Sequence, residues 1–314
     1  MLNRIRAMRD AGILGINARN RDFVMKHNPR SGYPLVDDKL QSKKLAQQAG
    51  IAVPELYAAI HTNHELQNIP AIIHQQPSCV IKPAHGSGGN GILVLTGKRK
   101  NRFTKANGLT LDEADVEFHA SNILSGVFSL GSVPDTAMIE YRVQQDPVFE
   151  AICYQGVPDI RVLVYRGIPA MAMLRLPTRS SDGKANLHQG AIGVGIDIAG
   201  GKTTHAVQQN RQIDEHPDLG VELGGIEVPG WRTLLALAAG CYELTGLGYL
   251  GVDIVLDKHQ GPLILEINAR PGLAIQIANQ QGLNRVLKRL DRLDCSGISA
   301  EVRVEKLLAM LGGH

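Results

Sequence analysis

Short apolar runs bounded by glycine, proline and polar clusters alternate along this chain with a few stretches of helical spacing. Ser78-Cys79-Val80-Ile81-Lys82-Pro83 predicts a buried strand that ends at proline. A glycine-rich stretch follows, His85-Gly86-Ser87-Gly88-Gly89-Asn90-Gly91, and Ile92-Leu93-Val94-Leu95 then predicts a second strand. Further strand-like runs occupy residues 137–141, 159–165, 168–173, 251–256 and 263–268, the last two separated by a turn over 258–262. Helical signals are an acidic start at Asp37 with Leu40, Leu45 and a closing Gly50, and residues 231–244. The last thirty residues predict one or two basic amphipathic helices, with Val286, Leu287, Leu290 and Leu293 on a face for core packing or a subunit contact. Residues 98–135 predict a helix with loops, and the glycine-rich 190–201 predicts a mobile loop. The first 38 residues hold arginines, glycines and an Asn28-Pro29-Arg30-Ser31-Gly32 turn signal. No internal repeat appears, and the pattern is α+β with largely antiparallel sheets.

Composition narrows the function classes. With 314 residues, 44% hydrophobic and 20% charged, the chain reads as globular and long enough for one large or two modest domains. A net charge of only +3 makes no demand for nucleic acid or an anionic membrane. Cys79, Cys153, Cys241 and Cys295 stand singly, against a disulfide framework or zinc site. His61-x-x-His64 has no further ligands nearby and reads as surface. The basic N-terminus lacks the apolar stretch of a signal peptide. The apolar region 234–256 is interrupted by Glu243 and Asp253 and is not a membrane span, so a cytoplasmic location is expected.

The glycine-rich stretch has the chemistry of a phosphate cradle, because backbone amides approach oxyanions closely where no side chains intervene. A Rossmann fingerprint needs a helix after the loop, and a strand follows here. A Walker loop would end in Gly-Lys-Ser/Thr, which is absent, and no His-Arg-Asp or Asp-Phe-Gly partner of a kinase loop lies downstream. What remains is a hairpin lid with Lys82 just before it.

Farther along, Glu266 and Asn268 are two residues apart and share one strand face, with Asp253 on the neighbouring predicted strand. Asp253 and Glu266 interrupt otherwise apolar runs, and buried acids need partners. Three converging oxygen donors suit Mg²⁺.

The motifs DK at 38–39, VIKPAHGSGGNGI, IEYRV, DIRVLV, NLHQGA, GVDIVL and LEINARPGL occur in an order that resembles the ATP-grasp superfamily over residues 37–285. The branch most similar contains ribosomal-protein glutamate ligase and alpha-L-glutamate ligase-like proteins. The resemblance implies an α+β ATP-grasp fold of two lobes, whose antiparallel sheets sandwich ATP, after a truncated N-terminal domain. It divides the chain into a short N-terminal segment (1–38), a small lobe with the glycine-rich lid (39–139), a large lobe with the metal site (140–285) and a helical tail (286–314).

It further implies phosphate contacts from Lys39, Lys82 and the lid residues Gly86, Ser87, Gly88 and Gly89. The backbone of Glu140, Tyr141, Arg142 and Val143 would hold adenine, and Asp159 the ribose. Lys184, Ala185 and Asn186 match a second nucleotide-contacting segment. Asp253, Glu266 and Asn268 match the ligands of two Mg²⁺ ions, with Mn²⁺ as a substitute. Other readings stay open: Lys39 as a solvated helix-start lysine, Asp159 as a strand start after Pro158, Arg161 as a phosphate contact or a salt bridge. His188 is open to substrate or to a hydrogen bond. Arg270 is a candidate contact for the transferred phosphate or a substrate carboxylate.

The implied reaction joins an amino acid or other carboxylate to an amine, on a peptide, protein or small molecule, through an acylphosphate. A phosphotransferase and a nucleotide-binding regulatory protein without turnover are the alternatives, and a homo-oligomer is compatible with the C-terminal face. Three departures bear on the substrate. Only 36 residues precede Asp37, where related ligases carry a full N-terminal domain. Lys184 and Gln189 stand where the glutamate ligase pattern has arginines, and Arg270 stands where that branch has serine.

Overall fold

Alternation along the strands sorts this chain into two antiparallel sheets, each with one face committed to an apolar core. The computed structural model describes residues 2–86, 88–100, 102–129, 131–295 and 297–312. Ser87, assigned to the lid from sequence, lies outside the described residues. Two compact units result: a small unit of Asp37–Lys44 with Val53–Val143, and a large unit of the remaining described residues.

The small unit holds a six-stranded sheet of β1 (Leu56–Ile60), β2 (Cys79–Pro83), β3 (Leu93–Arg99), β4 (Arg102–Lys105), β5 (Thr110–Leu111) and β6 (Ala137–Tyr141), in the order β1-β6-β2-β3-β4-β5. Cys79 and Ile81 of β2 and Ala137 and Ile139 of β6 face a core closed by Val116, Ala120 and Ile123 of the helix Glu113–Leu124. That helix starts where Asp112 accepts from the Asp115 amide and Asp115 accepts in return, a reciprocal cap. The alternate residues of β2 and β6, including Lys82 and Glu140, therefore occupy the opposite face.

The large unit is built on seven strands: β7 (Asp159–Tyr165), β8 (Ile168–Leu176), β9 (Ile192–Ile196), β10 (Thr203–Gln208), β11 (Arg211–Ile213), β12 (Tyr249–Asp257) and β13 (Gly261–Asn268). Their order is β11-β10-β9-β8-β7-β12-β13. Ile160, Val162, Ala172, Leu174, Val252 and Ile254 share one wholly buried face, and the helix Trp231–Thr245 lies against these strands. The other face is divided lengthwise. Leu163, Tyr165, Met171, Met173 and Tyr249 pack with Leu14, Phe23, Leu283, Leu287 and Leu307, whereas Asp159, Arg161, Arg175 and Asp253 occupy its remaining part.

One finding differs from what the sequence predicts. The stretch 190–201, expected to be a mobile loop, contains the fully buried β9. Packing requires a glycine at 195, where a Cβ would stand 2.5 Å from the Ala278 carbonyl, and leaves little room at Gly193, where one would press the Leu187 side chain. Ile192, Val194 and Ile196 supply the apolar alternation between them. The C-terminal face expected to serve core packing or a subunit contact does pack into the large unit's core, through Leu287 and Leu290 with Val286 and Leu293 against them. Leu14, Phe23 and Val24 of the N-terminal segment join the same core. No described helix is long and apolar enough to cross a membrane.

Candidate active site

In the small unit, β2 and β6 place Lys82 and Glu140 on the uncommitted sheet face, and the helix Lys39–Gln48 adds Lys43. Glu140 is 3% exposed and receives Lys82 on one carboxylate oxygen and Lys43, at 2.6 Å, on the other. Lys43 also donates to the Pro54 carbonyl. Two ammonium groups thus share one carboxylate, and this buried cluster carries an excess positive charge. Burial pushes the Lys43 ammonium down to about 8, against the opposing pull of Glu140, and Lys82 lowers it further. Burial alone would raise the Glu140 carboxyl, but the two lysines hold it below the ordinary glutamate value.

The glycine-rich stretch begins beside this cluster. Lys39 Nζ donates to the Gly86 carbonyl at 2.6 Å, and the Lys39 amide donates to Ala84. Asp135, fully buried at its side chain, accepts from the His85 amide and from His85 Nδ1 at 2.8 Å, which anchors the start of the loop. Gly88, Gly89 and Gly91 all adopt positive φ, and a Cβ at Gly91 would stand 2.6 Å from the Phe128 ring. Tyr141 ends β6, with its amide donating to Glu55, while Arg142 and Val143 lie beyond the ladder.

In the large unit the register brings Arg161 opposite Asp253 and Asp159 opposite Arg175. Arg161 binds Asp253 with two hydrogen bonds of 2.7 and 2.6 Å. Arg175 binds Asp159 at 2.5 and 2.6 Å and also reaches Asp253 at 2.7 Å. Burial, assisted by the neighbouring Asp253 charge, raises the Asp159 carboxyl to about 6 despite Arg175. Asp253 is held low, because its two guanidinium partners outweigh the effect of burial. Glu266 lies opposite Asp253 in the β12–β13 register, and Asn268 Nδ2 stands 3.4 Å from Asp253 Oδ2.

This donor set fits a hard divalent cation in kind: two carboxylates and an amide, all oxygen donors on adjacent strands. The residues do not fit it equally. Asp253 has both oxygens engaged by arginines, with which a cation would have to compete, and Glu266 and Asn268 lie half-buried beside it. Among the described residues no group of three His, Cys, Asp or Glu side chains could hold a metal.

Among the remaining sequence candidates, Asp159 belongs to the ion cluster just described. Asp159, expected at a ribose, is doubly bonded by Arg175. Lys184 and Ala185 occupy the loop between β8 and β9, where Asn186 uses its side-chain oxygen to cap the turn Leu187–Gln189 and His188 is exposed. Arg270 is exposed and stacks on the Tyr33 ring, 4.6 Å from its centroid. Three residues escaped the sequence reading: Lys43, Asp135 and Arg175. Arg175 interrupts an apolar strand just as Asp253 does, and Lys43 lies one helical turn after Lys39, so both carried a signal.

A family model described as sugar-transfer associated ATP-grasp matches residues 18–292. A probable alpha-L-glutamate ligase of Maridesulfovibrio salexigens is 25% identical over 236 residues, which cover 75% of this chain and 56% of that protein. A probable alpha-L-glutamate ligase of Histophilus somni (strain 2336) is 26% identical over 257 residues, 82% of this chain and 63% of that protein. The chain thus spans less than two thirds of the length of these relatives. A biotin carboxylase–βγ-ATP complex from Campylobacter jejuni aligns with a TM-score of 0.51 at 15% identity, covering 85% of this chain and 48% of that one, a likeness of fold.

Proposed function

This chain belongs to the sugar-transfer associated ATP-grasp family, and we propose that it is an ATP- and Mg²⁺-dependent carboxylate–amine ligase. The observation that carries the reading is the contrast between its two buried polar clusters. Lys43, Lys82 and Glu140 leave a surplus positive charge suited to phosphate, whereas Asp253, Glu266 and Asn268 present oxygen donors suited to a cation. The kinship with probable alpha-L-glutamate ligases supports an amino acid, glutamate among them, as one substrate, and a peptide or small amine as the other.

In this reaction a carboxylate oxygen of the substrate attacks the γ-phosphorus of ATP, giving an acylphosphate and ADP. The amine nitrogen then attacks the acyl carbon, inorganic phosphate leaves, and the amine proton is lost. Phosphoryl transfer needs positioning and charge stabilisation more than covalent help from the protein. Lys82 supplies a fixed ammonium, with Glu140 and Lys43 setting its position. Gly86, Gly88 and Gly89 offer backbone amides to phosphate oxygens, with Lys39 holding the loop's first carbonyl. Glu266 and Asn268, with Asp253 behind them, would hold Mg²⁺, which supplies charge neutralisation at the transferred phosphoryl group. Arg161 and Arg175 orient Asp253, and Arg270 meets an oxyanion of the reacting groups. The lid shields the acylphosphate from water.

The test is ADP release in the presence of each amino acid in turn, with and without hydroxylamine. The ligase reading expects an amino acid that stimulates ADP release and is trapped as its hydroxamate. ADP formation with no trapped product would instead indicate phosphotransfer or hydrolysis, and ATP binding without ADP would indicate a protein without turnover.

A further inference from the structure

The N-terminal segment ends where the large unit's polar face begins. Asn28, 4% exposed, donates to the carbonyls of Tyr249 at 2.8 Å and Ala269 at 3.0 Å, and accepts from the Tyr249 amide. One residue thereby ties the segment to the start of β12 and to the residue just past Asn268. Gly32 allows the chain to close on this corner, since a Cβ there would stand 2.6 Å from Leu247. The next residue is Tyr33, whose ring carries the Arg270 guanidinium. From the other side Arg19, 6% exposed, donates to the Pro271 carbonyl at 2.8 Å and to the Arg270 carbonyl at 3.5 Å. Its remaining nitrogens bond Asn20 Oδ1.

The charge balance at this corner is unusual. Arg19 is buried, yet its hydrogen-bond acceptors are all neutral. Arg270 stacks on a neutral ring, and among the described residues neither arginine forms a salt bridge with a carboxylate. Burial lowers the Arg19 pKa, and the nearby Arg270 charge lowers it further, so the two cations repel each other. Arg161 borders the same corner, because a Cβ at Gly251 would touch both Pro271 and, at 3.8 Å, Arg161 Nε. Arg161 differs in being neutralised by Asp253. A surface that assembles uncompensated guanidinium charge and fixes it through a buried asparagine, a buried arginine and an aromatic face is organised for an oxyanion.

We propose that residues 19–33 build an oxyanion-recognition subsite for the substrate, with Arg270 as the contacting group and Arg19, Asn28 and Tyr33 as positioning residues. The ligand class is a substrate bearing a carboxylate or phosphate. Identification of that oxyanion as the substrate's rests on the ligase reading; the existence of the subsite does not. Residues 19–33 thus perform a substrate-side task.

The experiment follows the arginine side-chain ¹⁵Nε resonances of the full chain during separate titrations with inorganic phosphate and succinate. The Arg270 resonance is assigned by its loss in Arg270→Gln. Both anions are expected to shift that resonance. Tyr33→Leu is expected to weaken succinate binding roughly two- to thirty-fold, the range of a cation–π contact, while Tyr33→Phe restores it to near the parent value. An Arg270 resonance that ignores both anions, or equal affinity in Tyr33→Leu and the parent, overturns the proposal. A repeat with Mg²⁺ and a non-hydrolysable ATP analogue separates the sources. Continued response to succinate supports a substrate site, whereas a response to the analogue that abolishes the succinate shift assigns the oxyanion to the nucleotide and overturns the substrate role. A failure to trap hydroxamate would defeat the ligase reading while leaving this titration unchanged.

Discussion

The two buried clusters of this protein solve the problem of burying charge in different ways. In the small unit two lysines share Glu140, so the cluster has one positive charge more than it can neutralise. In the large unit Arg161, Arg175, Asp159 and Asp253 balance, two against two, and Glu266 lies beside the balanced set. An ion lattice that neutralises itself is a device for holding side chains in place, whereas a surplus buried charge asks for a counter-ion from outside. The difference separates the groups that position from the groups that bind. The proposed ligase function would make Lys82 and Glu266 the binding groups, with Arg175 holding Asp159 and Asp253 in place.

The contrast is broken most forcefully by removing one cation from each cluster. Arg175→Met leaves Asp159 without its bidentate partner and gives the buried lattice a net negative charge. A loss of about 3–5 kcal/mol is expected in denaturant unfolding, the usual cost of orphaning a buried ion. Lys82→Met, by contrast, leaves Glu140 paired with Lys43 as a neutral couple. Its stability is expected to stay near the parent's, while ADP formation falls about 10²- to 10³-fold, as when one fixed donor to a developing oxyanion is lost. Equal stability losses in the two variants would erase the distinction.

Lys43 sharpens the comparison through pH. Burial brings its folded pKa to about 8, against about 10.4 in the unfolded chain. Between those values the unfolded chain binds more protons at this group, so its contribution to stability rises with pH across that window. Below about 8 both states are protonated and the penalty of burying the ammonium is fully present, on the order of 3 kcal/mol. Lys43→Met is expected to flatten this rise, as read from the difference between parent and variant unfolding free energies from pH 7 to pH 10.5. Parallel pH profiles would contradict the buried-ammonium assignment.

Much of the architecture was legible in the sequence because it is local. The runs at Cys79–Pro83, Ala137–Tyr141 and Asp159–Tyr165 carry their own strand signals, and the ordered motifs give the ATP-grasp fold. What escaped depends on distant contacts. Gly193 and Gly195 read as flexible until Leu187 and Ala278 occupy the space above them. Asn28 reads as a turn residue, although its bonds reach Tyr249 and Ala269, more than two hundred positions away. At the site, an isolated polar residue in an apolar strand flagged Asp253, but its ion partners required the register of three strands. Sequence spacing grouped Asp253 with Glu266 and Asn268 as equals; the proposed function, with both Asp253 oxygens bonded by arginines, would rank Glu266 and Asn268 ahead of it.

That ranking can be tested in one measurement, Mg²⁺-dependent ADP formation by Glu266→Gln, a change that keeps the shape of the side chain and removes its charge. The account expects ADP formation to fall about a hundredfold or more, as for loss of a group that acts on transition-state charge, with the unfolding midpoint unchanged. ADP formation at the parent rate, with the same dependence on Mg²⁺, would contradict it.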